Sequence, residues 1–441
     1  TILPKFKEKV QTIYIDPPFN LDSSDQFLYR TNYKDANWAT LLENRLRIAK
    51  NWLNEKGSIF VRCDYNGNWI VRCLMDDVFG RENFRNEIIV NRINKQDPKV
   101  QKFNTATDSL YFYSKTEISN FHLLFKQLKK AKIERWHAMD SQGQGKALYI
   151  FNHLFKPPRG RHWTYGQENI NQMELEGRIR LKCKNCGYIH TKGIWGECPQ
   201  CKNKDNVKIE YLLPPTELKQ IDSNWTDIPG YSSTTDFATE NSEKLLTRVI
   251  NTGSQKGDLV MDFFLGSGTT TAVAHKLGRK WIGVEMGEHF YNVILPRMKK
   301  VLFYDKSGIS KEKDVKEHYN ADNAGGFFKY FELEQYEETL ANCVYENHDI
   351  FIAENKSPYE QYVFLKDEKM LKAMEIDYEN NKVKVDLDKL YPNIDIAETL
   401  SNLTGKWIKK IKDAEVEFED GTKVNTKDLD YKLIKPLIWW E

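Results

Sequence analysis

The sequence of 441 residues is informative first for what it does not contain. It has no run of about 18 apolar residues, so no segment predicts a membrane-spanning helix. The opening segment TILPKFKEKV lacks a signal-peptide core, and we therefore expect a cytoplasmic or nucleoid-associated location. There is no phosphate-cradling G-x-x-x-x-G-K-S/T loop and no nuclease or motor motif, so we expect that DNA cleavage would need a partner.

The charge is nearly balanced overall but unevenly distributed. Lysine and arginine number 65 against 63 acidic residues, a formal net charge of +2. The hydrophobic content of 40% indicates a globular protein, and the length of 441 residues predicts two to four domains. Residues 90–235 contain 23 basic and 14 acidic residues, a local net charge of +9. This segment is therefore predicted to provide a surface for a polyanion.

Residues 13–20 read IYIDPPFN, an apolar strand that ends at Asp16, Pro17, Pro18 and Phe19. An amino group on an aromatic ring is a poor nucleophile because its lone pair is delocalised. Asp16 and the Pro17 carbonyl can accept hydrogen bonds from the two N–H groups of such an amine and turn its lone pair outward. The two prolines fix the backbone that carries these acceptors. Phe19 offers a face on which an extruded base can stack. The four residues predict a site for methylating a nucleobase amino group; the alternative is that Asp-Pro-Pro only ends a strand.

A second motif, DLVMDFFLGSGTT, covers residues 258–270. It reads as an apolar strand that ends at an acidic residue, then a glycine loop and a helix. A third apolar strand, KWIGVEM, is closed by a glutamate where a carboxylate would hold ribose hydroxyls. A nucleotide or dinucleotide site is the rival interpretation, but a third glycine at the dinucleotide spacing is missing. The candidate cofactor-binding residues are Asp262, Phe264, Gly266, Ser267, Gly268, Thr269, Thr270 and Glu285.

Together these motifs resemble those of DNA amino-methyltransferases that use S-adenosylmethionine. The DPPF motif precedes the glycine motif, which resembles the permuted order of the beta class. Residues 325–340, GGFFKYFELEQYEETL, resemble the modification subunits of type III restriction-modification systems. The resemblance covers most of residues 10–340.

The resemblance implies a site-specific enzyme that methylates a flipped adenine in double-stranded DNA. Asp16, Pro17 and Phe19 would hold the base, residues 262–270 the methionine end of the cofactor, and Glu285 its ribose. Asp rather than Ser at the first position of the tetrad favours adenine over cytosine in this family. The resemblance also implies a homodimer that works with a restriction (nuclease/helicase) subunit.

The sequence departs from the family pattern in two places. Members carry a Thr-x-Lys-Pro segment before the glycine motif, whereas residues 239–244 read TENSEK, without the lysine and the proline. Relatives also have a strand and a Gly-Asp-Asn turn upstream of the DPPF motif, and we expect that piece to be cut off or to lie on another chain. These departures keep two alternatives open, an RNA base methyltransferase and a DNA-binding scaffold with impaired catalysis.

Four of the seven cysteines follow a metal-binding spacing, C-x-x-C, eleven residues, C-x-x-C. Paired knuckles of this kind bring four thiolates into a tetrahedron around Zn²⁺, and four sulfur ligands leave no position for a catalytic water. Disulfides are disfavoured in a cytosolic protein. The sequence therefore predicts a structural zinc site formed by Cys183, Cys186, Cys198 and Cys201.

The alternation of strand and helix patterns predicts an α/β fold. We expect a Rossmann-like, mostly parallel methyltransferase sheet covered by helices on both faces, with permuted motif order, an inserted recognition domain with a zinc ribbon, and a small α+β C-terminal domain. Residues 87–93 and 109–115 are predicted to be strands on the way into the insert. Residues 327–340 are predicted to form an amphipathic helix, and Asp420-Gly421 a hairpin turn.

The predicted boundaries are 1–94 for the catalytic half, 95–235 for the DNA-recognition insert with its ribbon at 182–208, and 236–304 for the cofactor half. Residues 305–441 are assigned to dimerisation or partner binding.

Overall fold

The structure is a computed structural model that describes residues 3–18, 35–92, 101, 103–235, 237, 239–333, 374–377, 382–390, 393–429 and 433. Phe19 of the DPPF motif and residues 334–340 lie outside the described residues. The chain forms two compact units. The first unit comprises Thr1–His122 together with Asp222–Glu441, and the second unit is Leu123–Ile221.

The β-strands of the described residues are, in chain order, β1 (Val10–Ile15), β2 (Leu53–Cys63), β3 (Phe84–Asn91), β4 (Thr107–Ser114), β5 (Phe125–Lys132), β6 (Arg135–Ala138), β7 (Asp140–Gln142), β8 (Leu148–Ile150), β9 (His153–Phe155), β10 (Arg161–Trp163), β11 (Ile179–Cys183), β12 (Ile189–His190), β13 (Val207–Leu213), β14 (Thr216–Gln220), β15 (Asn224–Trp225), β16 (Leu259–Asp262), β17 (Lys280–Gly283), β18 (Met374–Asp377), β19 (Lys382–Val385), β20 (Ile408–Lys412), β21 (Glu415–Phe418) and β22 (Lys423–Asn425). The α-helices are α1 (Leu3–Phe6), α2 (Asp35–Trp52), α3 (Asn68–Phe79), α4 (Gln167–Leu175), α5 (Glu243–Gly253), α6 (Thr269–Lys276), α7 (Leu295–Leu302), α8 (Lys313–Lys316), α9 (Leu387–Leu390) and α10 (Ile396–Thr404).

A seven-stranded sheet is the centre of the first unit, with strand order β15-β3-β4-β2-β1-β16-β17. The pairs β2/β1, β1/β16, β16/β17 and β15/β3 are parallel. Strand β4 runs antiparallel to both of its neighbours, so the sheet is mixed. The sequence predicted β3 and β4 as strands on the way into the insert, whereas both belong to the central sheet.

Helices cover both faces of this sheet. Strand β1, VQTIYI, is buried at every position, as expected for a strand covered on both sides. Ile13 belongs to the same core cluster as Trp38 and Leu46 of α2 and residues of α3. On the opposite face α5 approaches closely, because a Cβ atom on Gly253 would lie 2.6 Å from Oγ1 of Thr12. The predicted α/β arrangement, a sheet with helices on both faces, is therefore observed, although the sheet is mixed.

The second unit is built from short antiparallel strands. Its largest sheet has the order β12-β11-β13-β6, and the pairs β14/β5, β10/β7 and β8/β9 form separate ribbons. Helix α4 packs into the same hydrophobic core, which contains Met173, Leu181, Trp195 and two cysteines. The unit therefore has its own core.

The C-terminal part of the first unit differs from its prediction in one respect. The hairpin expected at Asp420 and Gly421 is present between β21 and β22. The helix expected over residues 327–340 is not seen in residues 327–333, where Phe328 packs on Trp281 and Tyr330 packs on Phe290. Contacts from alternate residues suit an extended chain better than a helix.

In the described ranges, no helix is long and apolar enough to cross a membrane.

Candidate functional site

The two motif strands are neighbours in the central sheet. Strand β1 pairs with β16 in parallel, with Thr12 opposite Val260 and Ile13 opposite Met261. Asp16 follows the end of β1 and Asp262 ends β16, so both carboxylates lie at the carboxyl edge of the sheet, where open α/β sheets bind ligands. The structure thus brings together two predicted site residues that are far apart in sequence.

The two carboxylate oxygens of Asp16 differ in their surroundings. Its Oδ2 accepts a hydrogen bond of 2.9 Å from Nδ2 of Asn241. Its Oδ1 is buried and has no hydrogen-bond partner among the described residues. Burial raises the pKa of Asp16 to about 6, against the lowering effects of the Arg62 charge and the Asn241 hydrogen bond. A buried acceptor of this kind is suited to an N–H donor from a ligand.

The backbone of the DPPF motif is held by Trp38 of α2. The indole Nε1 of Trp38 donates a 2.7 Å hydrogen bond to the Pro18 carbonyl. The ring is 1% exposed and lies against Gly67, where an added Cβ atom would come within 2.6 Å of it. Trp38 therefore fixes the turn after Asp16 from the helix side.

A polar network lies beneath Asp16. Asn241 accepts hydrogen bonds at Oδ1 from the Tyr14 hydroxyl at 3.0 Å and from Nη1 of Arg62 at 2.5 Å. Arg62 has no exposed side-chain surface and forms a 2.7 Å ion pair with the equally buried Asp108. Its guanidinium also stacks 4.0 Å from the ring centre of Tyr231. A buried charge needs such partners, so these residues form one interdependent cluster.

The glycine loop is shaped by Asp262. Its Oδ1 accepts the Phe264 backbone N–H at 3.0 Å, and its Oδ2 accepts the Thr270 hydroxyl at 2.5 Å. Burial raises the pKa of Asp262 to about 7, with the Thr270 hydrogen bond opposing the rise. Gly266 and Gly268 have φ angles of 56° and 80°, which side chains rarely adopt. Asp262 thus ties both ends of the loop to the sheet edge.

Glu285 holds the same loop from the neighbouring strand end. Its carboxylate accepts backbone N–H groups of Gly266 at 2.8 Å, Met286 at 2.9 Å and Gly287 at 3.0 Å. Burial favours a higher pKa for Glu285, but the His289 ring and the N–H groups of Gly266 and Gly287 outweigh it and keep the pKa below its usual value. These contacts stabilise the ionised carboxylate.

The segment that precedes α5 closes over the glycine loop. Glu240, fully buried, accepts the backbone N–H groups of Thr234 at 2.7 Å and Thr235 at 2.8 Å, and it forms a 2.9 Å ion pair with Arg297. The ring of Phe237 lies next to Gly266, 3.5 Å from the position of an added Cβ atom. Glu240 therefore positions an aromatic side chain at the loop.

The four predicted metal-ligand cysteines cluster in the second unit. Their sulfur atoms all lie within 4.8 Å of one another, with 3.5 Å between Cys183 and Cys201 and 3.4 Å between Cys186 and Cys198. A tetrahedral Zn²⁺ with bonds of about 2.3 Å requires sulfur separations of about 3.8 Å, which this cluster approaches. His190 packs instead between Phe151 and Trp195.

Several members of this site were missed by sequence reasoning. Trp38 was not singled out at all, and Asn241 was noted only within a departure from the Thr-x-Lys-Pro pattern. Arg62 carried a usable signal, because a charged residue inside the apolar strand SIFVRC is uncommon and calls for a buried partner. Asp108, in the equally buried strand β4, is that partner.

A sheet with a glycine loop after one strand and an acidic residue after the next defines the class of Rossmann-like cofactor-binding proteins. Within this class, the chain belongs to the DNA methylase family, whose family model matches residues 10–296. This confirms the predicted family resemblance.

Curated relatives include type III modification subunits and type II methyltransferases. The chain is 28% identical to a protein named as a probable type III restriction-modification enzyme HindVI Mod subunit of Haemophilus influenzae, over 77% of this chain and 53% of that protein. It is 36% identical to the type II methyltransferase M.BamHI of Bacillus amyloliquefaciens, over 70% of this chain and 55% of that protein. The chain thus spans about half the length of these relatives.

Among solved structures, the PvuII DNA methyltransferase (cytosine-N4-specific) superposes with a TM-score of 0.38 at 14% identity, covering 71% of this chain and 86% of that one. This superposition is loose.

We predict that replacing Arg62 by Met lowers the free energy of unfolding by about 3 kcal/mol, because Asp108 is left buried without its main counter-charge. Urea denaturation measures the change. The double variant Arg62→Met, Asp108→Leu should lose less, and Arg47→Met, which removes an exposed ion pair, should have little effect. Equal losses in Arg62→Met and Arg47→Met would contradict the role given to the buried pair.

Proposed function

We propose that the protein is a site-specific DNA methyltransferase that transfers a methyl group from S-adenosylmethionine to the exocyclic amino group of a flipped adenine in double-stranded DNA. The observation that carries the proposal is the unpartnered, buried Oδ1 of Asp16, in the described part of the chain, at the same sheet edge as the glycine loop. Membership of the DNA methylase family supports it.

Asp16 supplies the main acceptor for the amino group. One N–H of the adenine donates to Oδ1 of Asp16 and the other to the Pro17 carbonyl, so that the nitrogen lone pair turns away from the ring. The Pro18 carbonyl is already engaged by Trp38, which holds the turn in place before the substrate arrives. Phe19 would stack on the flipped base.

The amino group loses a proton once it is methylated. Because burial raises its pKa to about 6, Asp16 is ionised near neutral pH and yet more basic than an exposed aspartate. Oδ1, which accepts the N–H, is therefore placed to receive that proton. Positioning and electrostatics supply most of the catalysis.

The residues around the glycine loop fit a small polar cofactor. When bound, S-adenosylmethionine supplies an electrophilic methyl group on a sulfonium. The positive φ angles of Gly266 and Gly268 leave backbone close to a ligand, and Phe237 adds an apolar surface. The residues assigned to hold the cofactor are Asp262, Phe264, Gly266, Ser267, Gly268, Thr269, Thr270 and Glu285.

Within this set, Asp262 and Glu285 act first on the loop itself. Both carboxylates accept loop N–H groups, so they hold the loop in a binding conformation. Glu285 is assigned to the ribose hydroxyls, which would compete with the loop N–H groups and the His289 ring for its carboxylate oxygens.

Adenine is preferred over cytosine as the target because the tetrad begins with Asp, which in this family goes with adenine. Residues 95–235, with their net positive charge, are assigned to DNA recognition. Residues 305–441 are assigned to dimerisation or partner binding. A restriction subunit is proposed as a partner because relatives are named Mod subunits of type III enzymes.

The second unit is proposed to hold a structural Zn²⁺. Four thiolates from Cys183, Cys186, Cys198 and Cys201 would complete its coordination and tie two turns of a zinc ribbon, residues 182–208, to the core that contains Trp195. The metal would compensate for the small hydrophobic core of this unit.

We predict that Asp16→Ala lowers methyl transfer by at least about 100-fold, since a preorganised acceptor is lost, while the affinity for S-adenosylmethionine changes little. The assay follows label from S-adenosylmethionine into duplex DNA, single-stranded DNA and RNA. Label that enters only RNA would replace the DNA proposal, and no label from the unaltered protein would favour a non-catalytic scaffold. Equal transfer by Asp16→Ala would remove Asp16 from the mechanism.

For the metal, we expect one Zn²⁺ per chain by elemental analysis, lost in the double variant Cys186→Ser, Cys201→Ser. Without the metal, the second unit should become susceptible to limited proteolysis, because metal binding contributes to folding. Cys73→Ser, which changes an exposed thiol of the first unit, is the matched control. Protein free of zinc that resists proteolysis equally well would refute the proposed site.

A further inference from the structure

The side chain of Asn241 connects three groups around the candidate site. Its Nδ2 donates to Oδ2 of Asp16 at 2.9 Å. Its Oδ1 accepts from the Tyr14 hydroxyl at 3.0 Å and from Nη1 of Arg62 at 2.5 Å. One amide side chain therefore joins the end of β1 to a residue of β2.

The orientation of this amide is fixed by chemistry. A guanidinium can only donate hydrogen bonds, so the atom of Asn241 that faces Arg62 must be the carbonyl oxygen. The amide nitrogen is then forced to face Asp16. Arg62 in turn cannot move freely, because it also donates to the Gly230 carbonyl at 3.0 Å and is paired with Asp108.

This orientation makes the two oxygens of Asp16 unequal. Oδ2 is occupied by Asn241, whereas Oδ1 remains buried without a hydrogen-bond partner in the ranges that the structure describes. The carboxylate is thereby held with a single oxygen available to a ligand, and such pre-orientation is a large part of what an active site contributes.

We propose that Asn241 is the positioning residue for Asp16, holding Oδ2 so that Oδ1 faces the amino group to be methylated. The proposal rests on the proposed function and adds to it a residue that acts through Asp16. It also assigns Arg62 the role of fixing Asn241.

The same geometry explains a departure from the family pattern. In the Thr-x-Lys-Pro segment that residues 239–242 resemble, the lysine would stand at Asn241. A lysine ammonium has no acceptor atom, so it could not receive the hydrogen bonds of Arg62 and Tyr14. It would also place a second cation beside the buried guanidinium. Asparagine satisfies both donors and still donates to Asp16.

The charges around Asp16 determine the sign of the expected effect. Three charged residues act directly on Asp16: Arg62 on β2, Asp64 just after it and Asp108 on β4. Tyr14 on β1, Tyr231 and Asp262 on β16 also interact electrostatically with Asp16. The Asn241 hydrogen bond stabilises the ionised carboxylate and so lowers the Asp16 pKa. Its removal should therefore raise that pKa.

Two variants separate positioning from general damage. Asn241→Asp keeps the oxygen that accepts from Arg62 and Tyr14 but replaces the donor to Asp16 with a like charge, whereas Asn241→Ala removes both functions. Asn251→Ala is the matched control, because it also removes a half-buried asparagine of the same unit, one that accepts a hydrogen bond from Arg279.

The Asp16 carboxyl pKa is read by ¹³C NMR titration of protein labelled at aspartate, with Asp16→Asn to assign the signal. We expect Asn241→Ala to raise it by about one unit and Asn241→Asp to raise it further. The kcat should fall about 10- to 100-fold in both, with the KM for S-adenosylmethionine within about twofold of the unaltered protein. Asn251→Ala should change neither the pKa nor the kcat.

An unchanged Asp16 pKa in Asn241→Ala, or a kcat equal to that of the unaltered protein, would overturn the positioning role. The titration is independent of turnover. If the unaltered protein transferred no methyl group, the proposed function would fail, while the pKa of Asp16 would still show whether Asn241 bonds to it.

Discussion

The guanidinium of Arg62 carries a full charge with none of its side-chain surface exposed, and the candidate site is arranged around it. Its partners come from separate parts of the chain: Asp108 on β4, the Gly230 carbonyl, the ring of Tyr231, and Asn241 just before α5. An unpaired charge at this position would be costly, so all of these segments must be in place together. The network therefore ties the segment before α5 to the strand end that carries Asp16.

The glycine loop is likewise held in place by buried charged groups, here the carboxylates of Asp262 and Glu285. Asp262 ends β16 and Glu285 follows the end of β17, and each accepts a hydrogen bond from the loop backbone. The two halves of the site are thus held by separate polar clusters that meet where β1 and β16 pair. This division fits a site in which a base and a methyl donor bind to different segments and react between them.

The sequence was sufficient to predict the parts of the site that depend on strand ends. Asp16 and Asp262 each follow an apolar run, and parallel strands bring such ends to one edge whatever their separation in the chain. The cysteine spacing likewise predicted the cluster in the second unit, because two residues between paired cysteines restrict how far apart their sulfur atoms can lie. The antiparallel course of β4 was not predictable, since burial on both faces gives the same apolar pattern in either direction.

The roles of Trp38 and Asn241 were hidden for a different reason. Each makes its decisive contact with a residue distant in the chain, Pro18 or Asp16, and neither local pattern nor propensity encodes such a partner. Arg62 stood out as a charge within an apolar strand, but only the fold identifies what it pairs with. The sequence pattern therefore located the candidate site at the strand ends, whereas only the tertiary contacts showed how its side chains are oriented.

The central claim is that a buried carboxylate oxygen on Asp16 selects an exocyclic amine as the methyl acceptor. It is tested most directly by incubating the full chain with duplex DNA and S-adenosylmethionine bearing a deuterated methyl group, followed by mass spectrometry of the released nucleosides. The account predicts deuterated methyl on the exocyclic nitrogen of deoxyadenosine. Deuterated methyl on a ring carbon, which calls for a covalent nucleophile instead of an N–H acceptor, would contradict it.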